Sequence, residues 1–255
     1  MLQKRFSLEG KTALVTGSSR GIGAAIAVGL AEAGADVIGH CSSNRQAADV
    51  VAGRIAELGR RCAVIQADLA EEDAPQRIVT EARRQFPVID VLVINASIQY
   101  RREWNDWDQA EFDRQVGVNF RSTVRLIQLL LPPMIERGWG RVLTIGSVQQ
   151  YRPHAQMMIY ASLKSAVENY IRNLARQLSH TGVTFNNISP GVIETDRNTE
   201  ALADPQRRQT VMQWIPMRRF GQPQDCVGAA LLLCSDAGSY ITGIDLLVDG
   251  GMRLP

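Results

Sequence analysis

Seven short runs of aliphatic and β-branched residues recur along the chain: TALVT (12–16), ADVIGH (35–40), CAVIQA (62–67), VLVIN (91–95), RVLTIG (141–146), VTFNNIS (183–189) and IDLLVDG (244–250). They are nearly continuous rather than alternating, as expected of strands covered on both faces. Between them lie segments of helix length, at 21–33, 44–59, 71–86, 107–138, 160–180 and 223–235. Strands and helices that alternate in this way predict βαβ units, whose right-handed crossovers build a parallel sheet with helices on both faces. No linker, repeat or low-complexity tract interrupts the pattern, so residues 1–255 read as one doubly wound α/β domain. The least regular stretch, 190–222, carries Pro190, Gly191, Pro205, Pro216 and Gly221 and is expected to be a mobile flap over a site.

Composition narrows the function classes. A net charge of +2 and 21% charged residues argue against nucleic acid as the main partner. The longest apolar run, LIQLLL at 126–131, stops at Pro132 and Pro133, well short of a membrane span. Four cysteines without CxxC spacing and a start without an apolar leader core predict a cytoplasmic protein. His40, His154 and His180 show no ligand spacing, and no catalytic metal is expected.

The first strand runs into TGSSRGIG, where Gly17, Ser19, Arg20, Gly21, Ile22 and Gly23 lead directly into a helix. Glycines there let the backbone approach a pyrophosphate, and the helix start offers free N–H groups, so the pattern predicts dinucleotide binding. At the end of the second strand, an NAD-type site places an acid for the ribose hydroxyls; this chain has His40-Cys41-Ser42-Ser43 instead. Arg20 and Arg45, with Ser42 and Ser43, are expected to enclose a 2′-phosphate, which favours NADP(H) over NAD(H). Arg45 also reads as an exposed first-turn residue. Asp68, followed by Leu69, is placed to bond the adenine amino group or to cap the next helix. Asn95 ends the fourth strand at the ligand-binding edge of the sheet.

Lysine is scarce: the chain has twenty-five arginines and only Lys4, Lys11 and Lys164. Lys164 follows Tyr160 by four residues, which on a helix puts both side chains on one face. A phenol with an ordinary pKa of about 10 is a poor base at neutral pH unless a nearby cation stabilises its anion. Hydride transfer to or from a nicotinamide needs such a group to move a proton at the substrate oxygen. Ser147, at the end of the fifth strand, is expected to bond that oxygen. Asn119 is expected to anchor a water that relays protons to Lys164. Tyr151 is the competing phenol, but no lysine follows it.

TGSSRGIG, Asn119, Ser147, YASLK and SPGVIETD together resemble the short-chain dehydrogenases/reductases, over about residues 11–251. The resemblance implies a Rossmann-like domain with a seven-stranded parallel sheet, a catalytic tetrad at Asn119, Ser147, Tyr160 and Lys164, and NAD(P) as cofactor. It also implies that Pro190, Gly191, Ile193 and Thr195 line the nicotinamide and phosphates, and that the protein is a homotetramer or dimer. Where the family shows NNAG, this chain has Ile94-Asn95-Ala96-Ser97. Ile94 is expected only to fill core. Ser97, in place of a glycine beside the nicotinamide ribose, reads equally as a perturbed cofactor contact or as a substrate contact.

Substrate choice in this fold resides in loops beyond the strands. The segments SIQYRREW (97–104), SVQQYRPH (147–154) and 193–223 resemble those of gluconate 5-dehydrogenases and 2-deoxygluconate dehydrogenases. Arg101, Arg102 and Arg152 offer cations for a carboxylate; Gln99, Gln149, Gln150, His154 and Asn198 offer partners for hydroxyls. The expected reaction is therefore alcohol–ketone interconversion on a sugar acid or polyol. A 3-oxoacyl-thioester reductase is the alternative enzyme, and a non-catalytic NADP(H)-binding regulator is the alternative from another class.

Overall fold

The computed structural model describes residues 2–199 and 203–254. Each apolar run forms a strand: β1 (Thr12–Val15), β2 (Asp36–Cys41), β3 (Cys62–Gln66), β4 (Val91–Ile94), β5 (Gly140–Ile145), β6 (Val183–Pro190) and β7 (Asp245–Val248). All neighbours are parallel, in the order β3-β2-β1-β4-β5-β6-β7. The chain proceeds outward from β1 to β3 and then returns to the other side of β1, so the connections after β1 and β4 diverge and open a crevice at the C-terminal edge.

Two apolar layers explain why the runs are continuous. Leu14, Leu92 and Ile94 pack with α4 (Ala74–Gln85), α6 (Ser122–Glu136) and α7 (Met158–Leu178) on one face. Ala13, Val15, Val91 and Val93 pack with α2 (Gly21–Glu32), α3 (Arg45–Glu57) and α10 (Val227–Cys234) on the other. Ile94 is buried in the first layer, as read. A short α1 (Leu2–Phe6) precedes the sheet. No helix among the described residues is long and apolar enough to cross a membrane.

Two expectations change in detail. The segment 107–138 is not one regular helix: α5 (Gln109–Val116) passes through a π-helical turn, Gly117–Arg121, into α6. α6 also continues past Pro132 and Pro133. Pro133 has no N–H to give to Leu129 O, and Arg83 Nη2 donates to that carbonyl instead, at 2.9 Å. The stretch 190–222 is more ordered than expected, because it carries α8 (Asp196–Thr199) and α9 (Pro205–Gln213). The Asp204 carboxylate caps α9 by accepting from Gln206 N at 3.0 Å, and Pro205 opens its first turn. Within the expected flap, residues 200–202 lie outside the described residues.

One side chain pins the loop that follows β1. His40 is buried at the end of β2; its Nδ1 accepts from Gly17 N at 3.2 Å and its Nε2 donates to Ala67 O at 2.9 Å, a pattern that only the neutral ring with its proton on Nε2 provides. Burial lowers the imidazole pKa below its ordinary 6.5, outweighing the Ala67 bond and the charge of Asp68. Because the folded value lies below the unfolded one, acidification protonates the unfolded chain first and weakens the fold progressively below 6.5. The unfolding midpoint is expected to fall between about pH 7.5 and about pH 5.5, and His40→Asn is expected to flatten that fall. Thermal scans of both proteins check this, and equal slopes would exclude His40 as the source.

Candidate active site

A cleft of about 750 Å³ lies across the C-terminal ends of the strands, within the size range of cofactor and ligand sites. At one end, the β1–α2 loop has no room for side chains. Gly17 has φ +65°, and a Cβ there would come within 2.9 Å of Ala96 Cα; a Cβ on Gly23 would come within 2.3 Å of both Asn95 Nδ2 and Gly17 O. Asn95 braces the loop, donating from Nδ2 to Thr16 O at 3.0 Å and to Gly17 O at 2.9 Å. Side chains cap the first turns of α3 and α9, but none caps α2, whose leading N–H groups face the cleft beside Ser19, Arg20 and Gly21. Open amides at a helix start, framed by glycines that contact backbone, fit a pyrophosphate.

Further along, Ser42, Ser43 and Asn44 line the cleft at the end of β2, and no acid stands among them. Arg45 does not join them: its Nε donates to Asp49 Oδ1 at 2.8 Å, one helical turn away and off the cleft. Of the two expected guanidiniums, Arg20 is the one that lines the cleft here. Arg20 meets Asp196 at 3.3 Å, an ion pair 67% and 70% exposed and correspondingly weak. Asp68 and Leu69 line the cleft as read. Asp68 does not cap α4, whose N-cap is Asp73. It accepts from Ala70 N at 3.0 Å and from Arg114 at 2.7 Å. Burial raises its carboxyl pKa, but those two bonds more than reverse the effect and leave it below the ordinary value. Arg114 was not anticipated from sequence.

The centre of the cleft is built from β5 and α7. Tyr160 and Lys164 are each 5% exposed and lie one turn apart, with Nζ 5.7 Å from the centre of the phenol ring. Lys164 Nζ donates to Ile145 O at 2.6 Å, which ties α7 to the end of β5. Ser147 follows that strand. Its Oγ accepts from Gln149 N at 3.2 Å, which leaves its own proton to donate elsewhere. Pro190, Gly191, Ile193 and Thr195 line the opposite wall, and Ala96 and Ser97 the floor.

Asn119 stands apart. It is 3% exposed, does not line the cleft, and uses both ends of its amide on one residue: Oδ1 accepts from Ile98 N at 2.9 Å and Nδ2 donates to Ile98 O at 2.8 Å. It therefore fixes the backbone next to Ser97 from within the π-turn.

Tyr151 is removed from the competition. Its hydroxyl touches Glu168 Oε1 at 3.0 Å and Asp245 Oδ2 at 2.8 Å, and burial together with these carboxylates drives its pKa far above the usual phenol range. Gln150 also turns inward rather than toward ligand: Oε1 accepts from Ser147 N at 2.8 Å and Nε2 donates to Glu168 Oε2 at 2.7 Å.

Of the proposed substrate residues, Gln99, Arg101, Gln149, His154 and Asn198 line the far end of the cleft. Arg102 and Arg152 do not line it. Arg102 pairs with Glu111 at 2.8 Å, and Arg152 donates to Met252 O at 2.9 Å while stacking on Trp214. Arg207, Thr210 and Trp214, from and just after α9, complete the wall. The Asp204-Pro205 pair was the signal that would have revealed that helix.

Comparison with known proteins agrees with this geometry. The family model described as enoyl-(acyl carrier protein) reductase matches residues 17–253. The chain is 39% identical over 252 residues to 2-dehydro-3-deoxy-D-gluconate 5-dehydrogenase of Pseudoalteromonas atlantica, covering 98% of each chain. A 3-oxoacyl (acyl-carrier-protein) reductase structure from Agrobacterium tumefaciens with NADP bound superposes with a TM-score of 0.93 at 41% identity, covering 98% of this chain and 97% of that one. A gluconate 5-dehydrogenase from Burkholderia cenocepacia, in complex with NADP and tartrate, gives 0.93 at 31% identity over 100% of both. A glycine cradle, a Tyr160–Lys164 turn facing Ser147 and matches along nearly the whole length leave one assignment: the chain belongs to the short-chain dehydrogenase/reductase family, oxidoreductases that act on CH–OH and keto groups.

Proposed function

We propose that the protein interconverts a secondary alcohol and a ketone on a sugar acid or related polyol, with NADP(H) as cofactor and Tyr160 as general acid/base. The observation that carries this reading is that Tyr160, Lys164 and Ser147 line one cleft together with the open helix start and several amide and guanidinium side chains. A bound nicotinamide supplies or accepts the hydride. In reduction, the Tyr160 hydroxyl gives its proton to the carbonyl oxygen, while the Ser147 hydroxyl donates a hydrogen bond to the same atom. In oxidation the Tyr160 phenolate takes the proton of the alcohol. The Lys164 ammonium stabilises negative charge on the phenol oxygen and would hold the ribose hydroxyls of a bound cofactor. Asn119 acts on the site by holding Ile98, and Ser97 enters as a hydroxyl on the cleft floor.

The 2′-phosphate is assigned to Arg20, Ser42 and Ser43, because no acid stands at the end of β2 to repel it. The reading also draws on relatives: one described as acting on 2-dehydro-3-deoxy-D-gluconate, and two crystallised with NADP. A second reading, 3-oxoacyl-thioester reduction, is favoured by the 41% identical Agrobacterium structure of that description. For assembly we adopt the tetramer that the family resemblance implies. It is supported by β7, an edge strand with half-exposed residues, and by the exposed Tyr240, Met217 and Leu254.

Turnover of a panel of keto-aldonates with NADPH is expected to exceed turnover of a short β-ketoacyl thioester; the reverse order supports the second reading. Tyr160→Phe is expected to lower kcat by at least about 100-fold with NADPH affinity retained, whereas Lys164→Ala lowers both. Full activity of the phenylalanine variant would end the assignment of Tyr160. Arg20→Ala is expected to reduce the NADPH-over-NADH preference in kcat/KM by about tenfold, the size of one charge-assisted hydrogen bond. Light scattering is expected to give the mass of four chains, and a monomer would refute the assembly.

A further inference from the structure

Glu168 is a charged side chain that the mechanism above leaves unused. It is 7% exposed on α7, one turn after Lys164 and two turns after Tyr160. A carboxylate so shielded from water is costly unless donors surround it, and three do: Gln150 Nε2 at 2.7 Å, the Tyr151 hydroxyl at 3.0 Å and the Arg172 guanidinium. An apolar side chain would fill that place without the desolvation cost, so the carboxylate is weak as a source of stability and strong as a source of direction.

Gln150 carries that direction to Ser147. Ser147 is the N-cap of a short 3-10 turn, Val148–Gln150, and Gln150 closes a capping box on it: Oε1 accepts from Ser147 N at 2.8 Å. Ser189 Oγ, from β6, donates to the same oxygen at 3.2 Å. The amide has room only because residue 146 is glycine; a Cβ there would collide with Gln150 Oε1, Asn187 Nδ2 and Ser189 Oγ. Neither Gln150 nor Glu168 lines the cleft, so whatever they do to a ligand they do through Ser147.

The box decides what the Ser147 hydroxyl offers. Oγ accepts from Gln149 N at 3.2 Å within the same turn, which occupies a lone pair and leaves the O–H to be donated into the cleft. α7 is also tied to the serine from both sides. Lys164 Nζ holds Ile145 O, two residues before Ser147, and Glu168 holds Gln150, three residues after it. Tyr160 rides on the same helix, so the two tethers act together on its place relative to Ser147.

We propose that Gln150 and Glu168 are positioning residues for the reaction: through the capping box they present the Ser147 hydroxyl as a hydrogen-bond donor to the substrate oxygen, in register with Tyr160. This rests on the alcohol–ketone reading above, whichever ketone is the substrate. It adds two residues that touch no ligand to those that set the rate.

The test is a double-mutant cycle in ketone reduction, followed as loss of NADPH absorbance, with the preferred member of a panel of keto-aldonates and a short β-ketoacyl thioester. Gln150→Leu is expected to lower kcat about tenfold or more with KM and NADPH affinity unmoved, because only the transition state misses a well-aimed donor. In a Ser147→Ala background the same change is expected to cost less than about twofold, because the hydroxyl it aims is gone. Gln150→Glu sets two carboxylates side by side and is expected to lose as much as Gln150→Leu. Adding Glu168→Gln turns the amide–carboxylate bond round, keeps an acceptor for Ser147 N, and is expected to restore kcat to within about threefold of wild type. Losses that multiply when Gln150→Leu is combined with Ser147→Ala overturn the proposal, since a general loosening of the fold acts on every background. So does an exchanged pair that binds NADPH as wild type does yet recovers no activity. Wild-type kcat in Gln150→Leu also overturns it and leaves the alcohol–ketone reading standing. If wild type reduces no member of the panel, that reading and the proposal fall together.

Discussion

Lys164 is only 5% exposed, and a charge so shielded from water persists only if its donors are met; the penalty for leaving it unpartnered is several kcal/mol. Ile145 O meets it at 2.6 Å. That carbonyl is the last on β5, so the bond joins the first turns of α7 to the edge of the sheet. Ser147 lies two residues beyond the carbonyl and Tyr160 one turn before the lysine, and this contact therefore helps to fix the spacing between the two hydroxyls in the cleft. An arginine would bring a wider, planar fork to a place where one carbonyl and one phenol leave room for a compact cation.

Behind Ser147 the support is polar rather than apolar. Gln150 links Ser147 N to Glu168, Glu168 is paired with Arg172, and Tyr151 bridges Glu168 to Asp245 on β7. Asn187 completes the mesh, donating to Asp245 Oδ1 at 2.7 Å and accepting from Thr144 Oγ1 at 2.6 Å. Each member has a directional partner, so the network specifies one arrangement where a purely apolar filling would allow several. Gly146 is small for the same reason: a Cβ there would lie within 2.3 Å of Gln150 Oε1.

What the chain reveals on reading follows from how local the cause is. The strands were legible because burial on both faces leaves its mark within each run, and the Tyr160–Lys164 pair because one helical turn suffices to place it. The fate of each arginine was not legible. Arg102 and Arg208 are withdrawn from the cleft by Glu111 and Glu194, nine and fourteen residues away along the chain, and only the folded loops bring those carboxylates close. Arg45 is the exception, because Asp49 stands at i+4 and the pairing was open to inspection. The π-turn around Asn119 was hidden because an inserted residue shifts side-chain direction without disturbing the apolar pattern on either side.

The two halves of the cleft are made from different materials, and the difference follows from what each must hold. Around the β1–α2 loop the contacts are backbone N–H groups and glycines, which tolerate no added atom and therefore define one ligand shape. At the far end the contacts are long side chains, Gln149, Arg101 and Arg207, carried on a turn, a loop and a short helix. A change there alters the ligand without straining the sheet, because none of those three residues belongs to a strand. The two halves join at Ser147, whose main chain belongs to the rigid mesh and whose hydroxyl faces the cleft. The chemistry thus stays tied to the sheet, and recognition varies with the loops.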